Sequence, residues 1–410
     1  MSEGRSPLAG IRVLDMSRIL AGPWVGQLLA DLGAEVIKIE RPGTGDDTRG
    51  WGPPFLKDRE GRETRESAYF MSANRGKKSV TLDISRPEGQ AIARELADTS
   101  DVLLENYKVG DLTRYGLGYA ELSARNPKLV YCSITGFGQT GPYRDRAGYD
   151  FMIQGMGGLM SITGERDDAP GGGPQKAGVA IADLMTGMYS TVGILAALHE
   201  SRTSGLGQHI DMALLDSQIA WLANQNMNYL IGGEVPGRMG NAHPNVMPYQ
   251  TFRTRDGDII LAVGNDGQFR RFCEAAGIPE VGADARFATN ASRLANRKAC
   301  TDALAPAIAK KTTAEWVALL DPIGVPCGPI NRLDEVYADP QVQHRGMKID
   351  VPHPLSGTVP LVANPIRYSR TPIVSDVPPP LLGEHTDEVL RDLLHKSDAE
   401  IAVLREQRVV

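Results

Sequence analysis

Residues Gly10–Glu40 read GIRVLDMSRILAGPWVGQLLADLGAEVIKIE, and the order of patterns in this stretch decides the fold. Gly10–Met16 is a short apolar run of strand length. Pro23–Leu32 carries its apolar residues at helical spacing and is stopped by Gly33. Ala34–Ile39 is a second apolar run. Strand, helix and strand in close succession form the repeating unit of a parallel sheet.

The alternation continues outward. Ser79–Ile84 is a third strand, and Pro87 sits at a favourable first position for a helix over Glu88–Ala97. Val102–Leu104 and Leu129–Ile134 are further strands, separated by a helix around Leu117–Ala124. The fold class expected is therefore α/β, with a doubly wound large domain. From Gly148 the pattern changes. Phe151–Ile162 and Val179–Glu200 are apolar nearly all round and are expected to be buried helices. A strand at His209–Met212 and a helix over Leu214–Tyr229 precede a Gly-, Pro- and Asn-rich loop, Gly232–Pro248. Past that loop, Tyr249–Arg253 and Asp258–Val263 read as a hairpin, followed by helices at Gln268–Ala276, Arg297–Lys310 and Thr313–Leu320. The domains expected are 1–224 (large), 225–330 (small, α+β) and 331–410, whose strands would include Gly346–Val351 and Ile366–Ser369.

The 410 residues carry a net charge of −6, which argues against a nucleic acid or an anionic membrane as partner. Four scattered cysteines and seven scattered histidines have no metal-ligand spacing, so no metal site and only inert thiols are expected. The N-terminus has no apolar leader pattern, and no uninterrupted apolar run reaches the length of a membrane span. Both point to a cytoplasmic setting.

A strand–turn–helix followed by Glu40 invites a dinucleotide-binding reading, but the turn Leu20–Gly26 lacks G-x-G-x-x-G, and Pro23 removes an N–H that a pyrophosphate would use. Cations say more. Lys38, Arg41, Arg75, Lys77, Lys78 and Arg114 each fall near a strand end or a helix start. Such positions line the ligand crevice of a doubly wound sheet and suit a polyphosphate ligand. Asp183 is the most unusual acid. It stands in an otherwise uncharged run, and Thr186, Gly187 and Ser190 make a small face beside it that would leave room for a ligand.

The residues 10–54 (GIRVLDM…RGWGPP), 73–84 (ANRGKKSVTLDI), 101–110 (DVLLENYKVG), 133–164, 179–217 (VAIADLM…ALLDS), 324–330 (GVPCGPI) and 381–390 (LLGEHTDEVL) together resemble the class III CoA-transferases of the CaiB/BaiF type. The resemblance runs from about residue 8 to 392. It implies a transferase with no cofactor beyond coenzyme A as substrate. Asp183 would be the catalytic nucleophile, passing through mixed anhydrides and an aspartyl-CoA thioester. Arg41, Arg75, Lys77, Asn106, Tyr107 and Arg114 would hold CoA. Tyr149 and Asp150 match an active-site pair of the family's formyl-CoA transferase. The family's racemases carry His where this chain has Tyr149, and a phenol titrates too high to share that acid–base role. An isomerase of 2-methylacyl-CoA is thus the first rival and a silent CoA-binding protein the second. Leu20 stands where the formate enzyme has Gln. The segments 240–245, 248–250 and 264–266 look more like dicarboxyl CoA-transferases of the succinate/glutarate type. An acyl-CoA (succinyl-CoA as donor) and a dicarboxylic acceptor are the expected partners. Arg18, Arg238 or His243 would neutralise the acceptor's second carboxylate. The resemblance also implies a Rossmann-like large domain, a C-terminal segment returning to it, and an interlocked homodimer.

Overall fold

The computed structural model describes residues 5–410 and divides them into two compact units, each described by itself. The first takes in the chain through Leu159, then Ala177–Met227 and Gln341–Val410; the second comprises Met160–Lys176 and Asn228–Pro340.

The first unit is an α/β body around six parallel strands. These are β1 (Arg12–Asp15), β2 (Glu35–Glu40), β3 (Lys77–Thr81), β4 (Val102–Glu105), β5 (Val130–Thr135) and β6 (His209–Ala213). Their order in the sheet is β3-β2-β1-β4-β5-β6, so the winding reverses between β1 and β4. A ligand crevice opens beyond the strand C-termini at such a switch point. Side chains alternate across the sheet. Val13, Val36 and Val102 face helix α1 (Ala21–Asp31) and the long helix α4 (Ile181–Ser204). Leu14, Ile37 and Leu103 face helix α2 (Pro87–Asp98) together with Val389, Leu390 and Ile401 of the C-terminal segment. Both faces are covered, which is why the strands read as continuous apolar runs.

The second unit centres on Tyr249–Arg253, Asp258–Ala262 and Cys327–Pro329, paired antiparallel. Phe269, Phe272, Phe287 and Trp316 fill its core.

The structure departs from the sequence reading in several places. The run expected as one helix over Phe151–Ile162 breaks at Gly157–Gly158 into α3 (Asp150–Met156) and a single turn at Leu159–Ile162, with Gly158 at φ +86°. The helix expected over Leu214–Tyr229 splits around Ala223, at φ 48°, into α5 (Leu214–Ala220) and Asn224–Gly232. Ile366–Ser369 forms no strand. The expectation that the two long apolar helices are buried all round is also overturned. α4 is apolar and long enough by composition to cross a membrane, and its Ala182, Thr186 and Ile194 are buried, yet Met188, Tyr189 and Val192 lie exposed along one stripe. Phe151 and Met156 are exposed as well.

Two lysines fix the turn after β1. Lys38 Nζ donates to Ser17 C=O (2.8 Å) and pairs with Asp46 (2.9 Å). Lys77 Nζ donates to Asp15 (2.9 Å), Pro23 C=O (2.8 Å) and Asn74 (2.9 Å). All four charged side chains are fully enclosed. Burial pushes the Lys77 ammonium down to about 8 against the opposing pull of Asp15. Burial also works against Lys38, but Asp46, Asp15 and Glu40 outweigh it and hold its pKa above the usual lysine value. Lys77→Met would leave Asp15 buried without its partner, and breaking such a pair costs about 3–5 kcal/mol. The urea-denaturation free energy should fall by that amount, with CoA affinity of the folded protein unchanged. A loss of affinity at unchanged stability would make Lys77 a ligand contact instead.

Candidate active site

The turn Arg18–Ala21, between β1 and α1, and the segment after β4 meet across the switch point. Asn106 locks them together, its side-chain oxygen accepting the Arg18 N–H (2.9 Å) and its amide donating to the Arg18 C=O (2.7 Å). Ile19 has φ 71°, a conformation that strains a β-branched residue, and its N–H points at Asp46 (3.3 Å). The held turn presents Leu20 and Arg18 to a cavity of about 300 Å³. Its other walls are Asn106–Val109, Ile134–Gly136, Arg144–Tyr149, Asp183 and Leu214.

Asp183 enters from the first turn of α4. Asp150, at the start of α3, takes the N–H groups that open α4: one carboxylate oxygen accepts from Ala182 N–H (2.8 Å) and, more weakly, Asp183 N–H (3.4 Å), and the other accepts from Gln154 (2.7 Å). A close backbone approach of Gly136 to Gly148, where a side chain on either would clash, returns the chain so that Tyr149 and Asp150 reach this place. Asp183 therefore lies half-buried beside a second carboxylate, with no ion pair to it among the described residues. Burial, and then the Asp150 charge, push its pKa from 3.8 up to about 7. Tyr69, edge-on to Trp51 at 5.0 Å, has its phenol raised by burial and then by the Asp183 and Asp150 charges.

The small face of α4 does not leave room for a ligand, as the sequence had suggested. Gly187 packs against Ala21 C=O and Trp24, where an added Cβ would sit 3.0–3.1 Å from both, and Thr186 and Ser190 are buried. The space beside Asp183 is instead the cavity that Leu20 and Tyr149 also line.

A second cavity of about 720 Å³ shares Arg18, Tyr107 and Asp111 with the first and extends over Arg41, Thr44–Asp47 and Leu82–Ser85. The Arg18 guanidinium lies over the Tyr107 ring at 5.6 Å and pairs at the surface with Asp47 (3.0 Å). The two spaces share these three walls and are taken together as a groove, with Asp183 lining one part and Arg41 the other.

Six sequence-named residues are thus brought together around Asp183: Arg18, Leu20, Asn106, Tyr107, Tyr149 and Asp150, although Asn106 is engaged with backbone. Arg41 stands at the far end of the groove. Arg114 is exposed outside both cavities and pairs with Asp111. Arg75 and Lys77 are corrected. Strand β3 begins at Lys77, two residues earlier than expected, and both residues lie at its N-terminal end, the wrong end for the crevice. The Arg75 guanidinium is buried on Asp31 (2.9 and 2.6 Å), and Lys77 is enclosed as described above. Arg238 and His243 belong to the second unit. There Arg238 pairs with Asp167 and donates to Glu165 C=O (3.3 Å), while His243 Nδ1 accepts from Asn245 N–H (3.0 Å).

The sequence reading passed over Lys108, Arg144, Arg146 and Tyr69. The first three follow β4 and β5, the two strands on the far side of the switch point, and that position is the signal that could have found them. Tyr69 has no such signal. Among the described residues no group of three His, Cys, Asp or Glu side chains is arranged to hold a metal.

The model of CoA-transferase family III matches residues 8–386. The succinate–glutarate CoA-transferase of Agrobacterium fabrum is 52% identical over 393 residues, covering 96% of this chain and 97% of that one. The human succinyl-CoA:glutarate CoA-transferase is 43% identical over 404 residues, covering 98% and 90%. The crystal structure of a CaiB/BaiF family protein from Brucella suis superposes with a TM-score of 0.83 at 52% identity, covering 95% of this chain and all of that one.

The groove makes one prediction about binding. Arg41→Ala should weaken acyl-CoA affinity by about 1–3 kcal/mol, the scale of a charge-assisted hydrogen bond. Calorimetry with two different acyl groups should give equal losses; a loss confined to one acyl group would move Arg41 away from the nucleotide end.

Proposed function

The chain belongs to CoA-transferase family III, and from that premise we propose that it exchanges coenzyme A between succinyl-CoA and a dicarboxylic acid of glutarate type, with Asp183 as the covalent carrier. The observation that carries the mechanism is the half-buried Asp183 carboxylate, at one end of a groove whose other end holds Arg41.

In the first step the Asp183 carboxylate attacks the thioester carbonyl. A C–O bond forms, the C–S bond breaks, and CoA leaves as thiolate from an aspartyl–acyl anhydride. The thiolate then attacks the aspartyl carbonyl, forming aspartyl-CoA and releasing the first acid as its carboxylate. The incoming carboxylate attacks aspartyl-CoA and expels the thiolate. The thiolate finally attacks the acceptor carbonyl, giving the new acyl-CoA and regenerating Asp183. No net proton is taken up, and one hard exchange becomes four displacements. Asp150 contributes by occupying the N–H groups at the start of α4, which would otherwise favour the Asp183 charge and blunt its nucleophilicity. Leu20, an apolar wall beside Asp183, suits an acceptor with methylenes better than formate or oxalate.

The attacking form is the charged one. Free-enzyme kcat/KM should therefore fall about tenfold for each pH step of one below about 7, where Asp183 takes up its proton; an inflection near 4 would refute the shifted carboxylate. Asp183→Asn should abolish exchange and stabilise the fold. The folded chain keeps this proton up to about pH 7 and the unfolded chain only to about 3.8, so stability drops as pH rises between those values, and the full destabilisation stands above 7. The Asn variant should melt higher at pH 8, by on the order of 2–4 kcal/mol of stability. Residual turnover in this variant would end the covalent mechanism.

The proposal includes a homodimer. Supporting it are the exposed large apolar side chains Met188, Tyr189 and Val192 of α4, along with Phe151 and Ile219, which a partner chain would cover. Light scattering should give twice the chain mass of 44.3 kDa; a monomer at micromolar concentration would overturn this part.

A further inference from the structure

We infer that Arg146 is the residue that reads the distal carboxylate of the dicarboxylate substrate, an inference that rests on the dicarboxylate reading above. A bound dicarboxylate directs one carboxylate to Asp183 and leaves a second charge inside the cavity, where burial without a partner is costly. The cavity must supply a cation that is both present and free to pair. Arg18 is already matched with Asp47 at 3.0 Å and lies over Tyr107, and Arg144 is turned to Asp145 at 3.4 Å. Arg146 lines the same cavity as Asp183 and forms no ion pair among the described residues.

Its guanidinium is nevertheless held in place. It lies over the Tyr143 ring at 4.5 Å and the Phe137 ring at 5.2 Å, and these two rings meet edge-to-face at 5.4 Å. Phe137 packs against the core beneath the sheet, and a turn closed from Arg146 N–H to Tyr143 C=O (2.9 Å) fixes the backbone. The two rings hold the guanidinium carbon in place, and no protein carboxylate pairs with its N–H groups among the described residues; a planar guanidinium can receive a carboxylate with two parallel hydrogen bonds. A cation ordered before the ligand arrives loses little freedom on binding, which is how affinity is gained from a single ion pair. Lys108, the other unmatched cation of the cavity, is exposed like Arg146, but it is a compact ammonium on a flexible stem and lacks that fork. Because donor and acceptor acids occupy the same place in alternate half-reactions, Arg146 reads the succinyl group of the donor as well as the acceptor.

The test compares glutarate with monomethyl glutarate, which lacks the distal charge, as acceptors for wild type, Arg146→Gln and Arg146→Lys, together with the Kd of free CoA. Wild type should prefer glutarate. Arg146→Gln should raise the glutarate KM 10- to 100-fold, leave monomethyl glutarate little changed and bring the ratio of their kcat/KM values towards one, with the Kd of CoA unaltered. Arg146→Lys should recover part of the preference. Thermal melting checks that both variants fold. A wild-type preference for glutarate that survives in Arg146→Gln would overturn the assignment while leaving the proposed function standing. An equal weakening of CoA binding would overturn it too, by making Arg146 a phosphate contact. A wild-type enzyme indifferent to the distal charge would remove the dicarboxylate reading itself, and this inference with it.

Discussion

Two ammonium groups enclosed beneath one turn hold the catalytic crevice in shape. Lys38 and Lys77 lie close enough to repel each other, and each is matched by acids and carbonyls that the turn itself presents: Asp15, Ser17 and Pro23 around the end of β1, and Asp46 from the next loop. A buried charge is tolerated only with its partners in place, so the turn cannot relax without exposing or orphaning a charge. This constraint keeps Ile19 at φ 71°. The strained residue in turn aims Arg18 and Leu20 into the space that Asp183 reaches from the other side. Asn106 extends the clamp across the switch point to the segment after β4.

Against that rigid wall the site works by withholding compensation from a carboxylate. A helix start ordinarily lowers the pKa of an acid placed there. Here burial raises the pKa most and the Asp150 charge adds to it, while Asp150 also takes the N–H group of Ala182. The outcome is a carboxylate that is only about half charged near neutrality and binds a proton more avidly than a solvated aspartate. Glu105 offers a comparison within the molecule. It too is buried and raised to about 7, but Ser133 and the Tyr107 N–H satisfy it, and it faces away from Asp183 into a separate cavity.

Most elements were legible because their signals are local. Pro87 opened a helix where a proline at the first position should, and Gly33 closed one. The places that failed are those where local pattern and packing disagree. Apolar composition around α4 implied full burial, yet Met188 and Val192 face outward, since composition says how apolar a helix is and not what covers it. The small face of Thr186, Gly187 and Ser190 implied space for a ligand, but small residues equally permit close approach of a neighbour, and Trp24 and Ala21 take up that space.

By itself the sequence determined the order of strands and helices and, through its resemblance, the family, and it singled out Asp183 as an unusual acid, since periodicity and an acid stranded in an apolar run are properties of neighbours along the chain. Only the tertiary structure decided what each cation does. Arg75 and Lys77 belong to buried pairs, while Arg41 and Arg146 line open cavities, although all four are basic residues in the loops or at the ends of the same sheet's strands. The difference comes from register: β3 starting at Lys77 opposite Val36 places its ammonium under α1, beside Asp15. Pairing between strands distant in sequence sets that register, and with it the burial and the partners that fix a charge as structural or free.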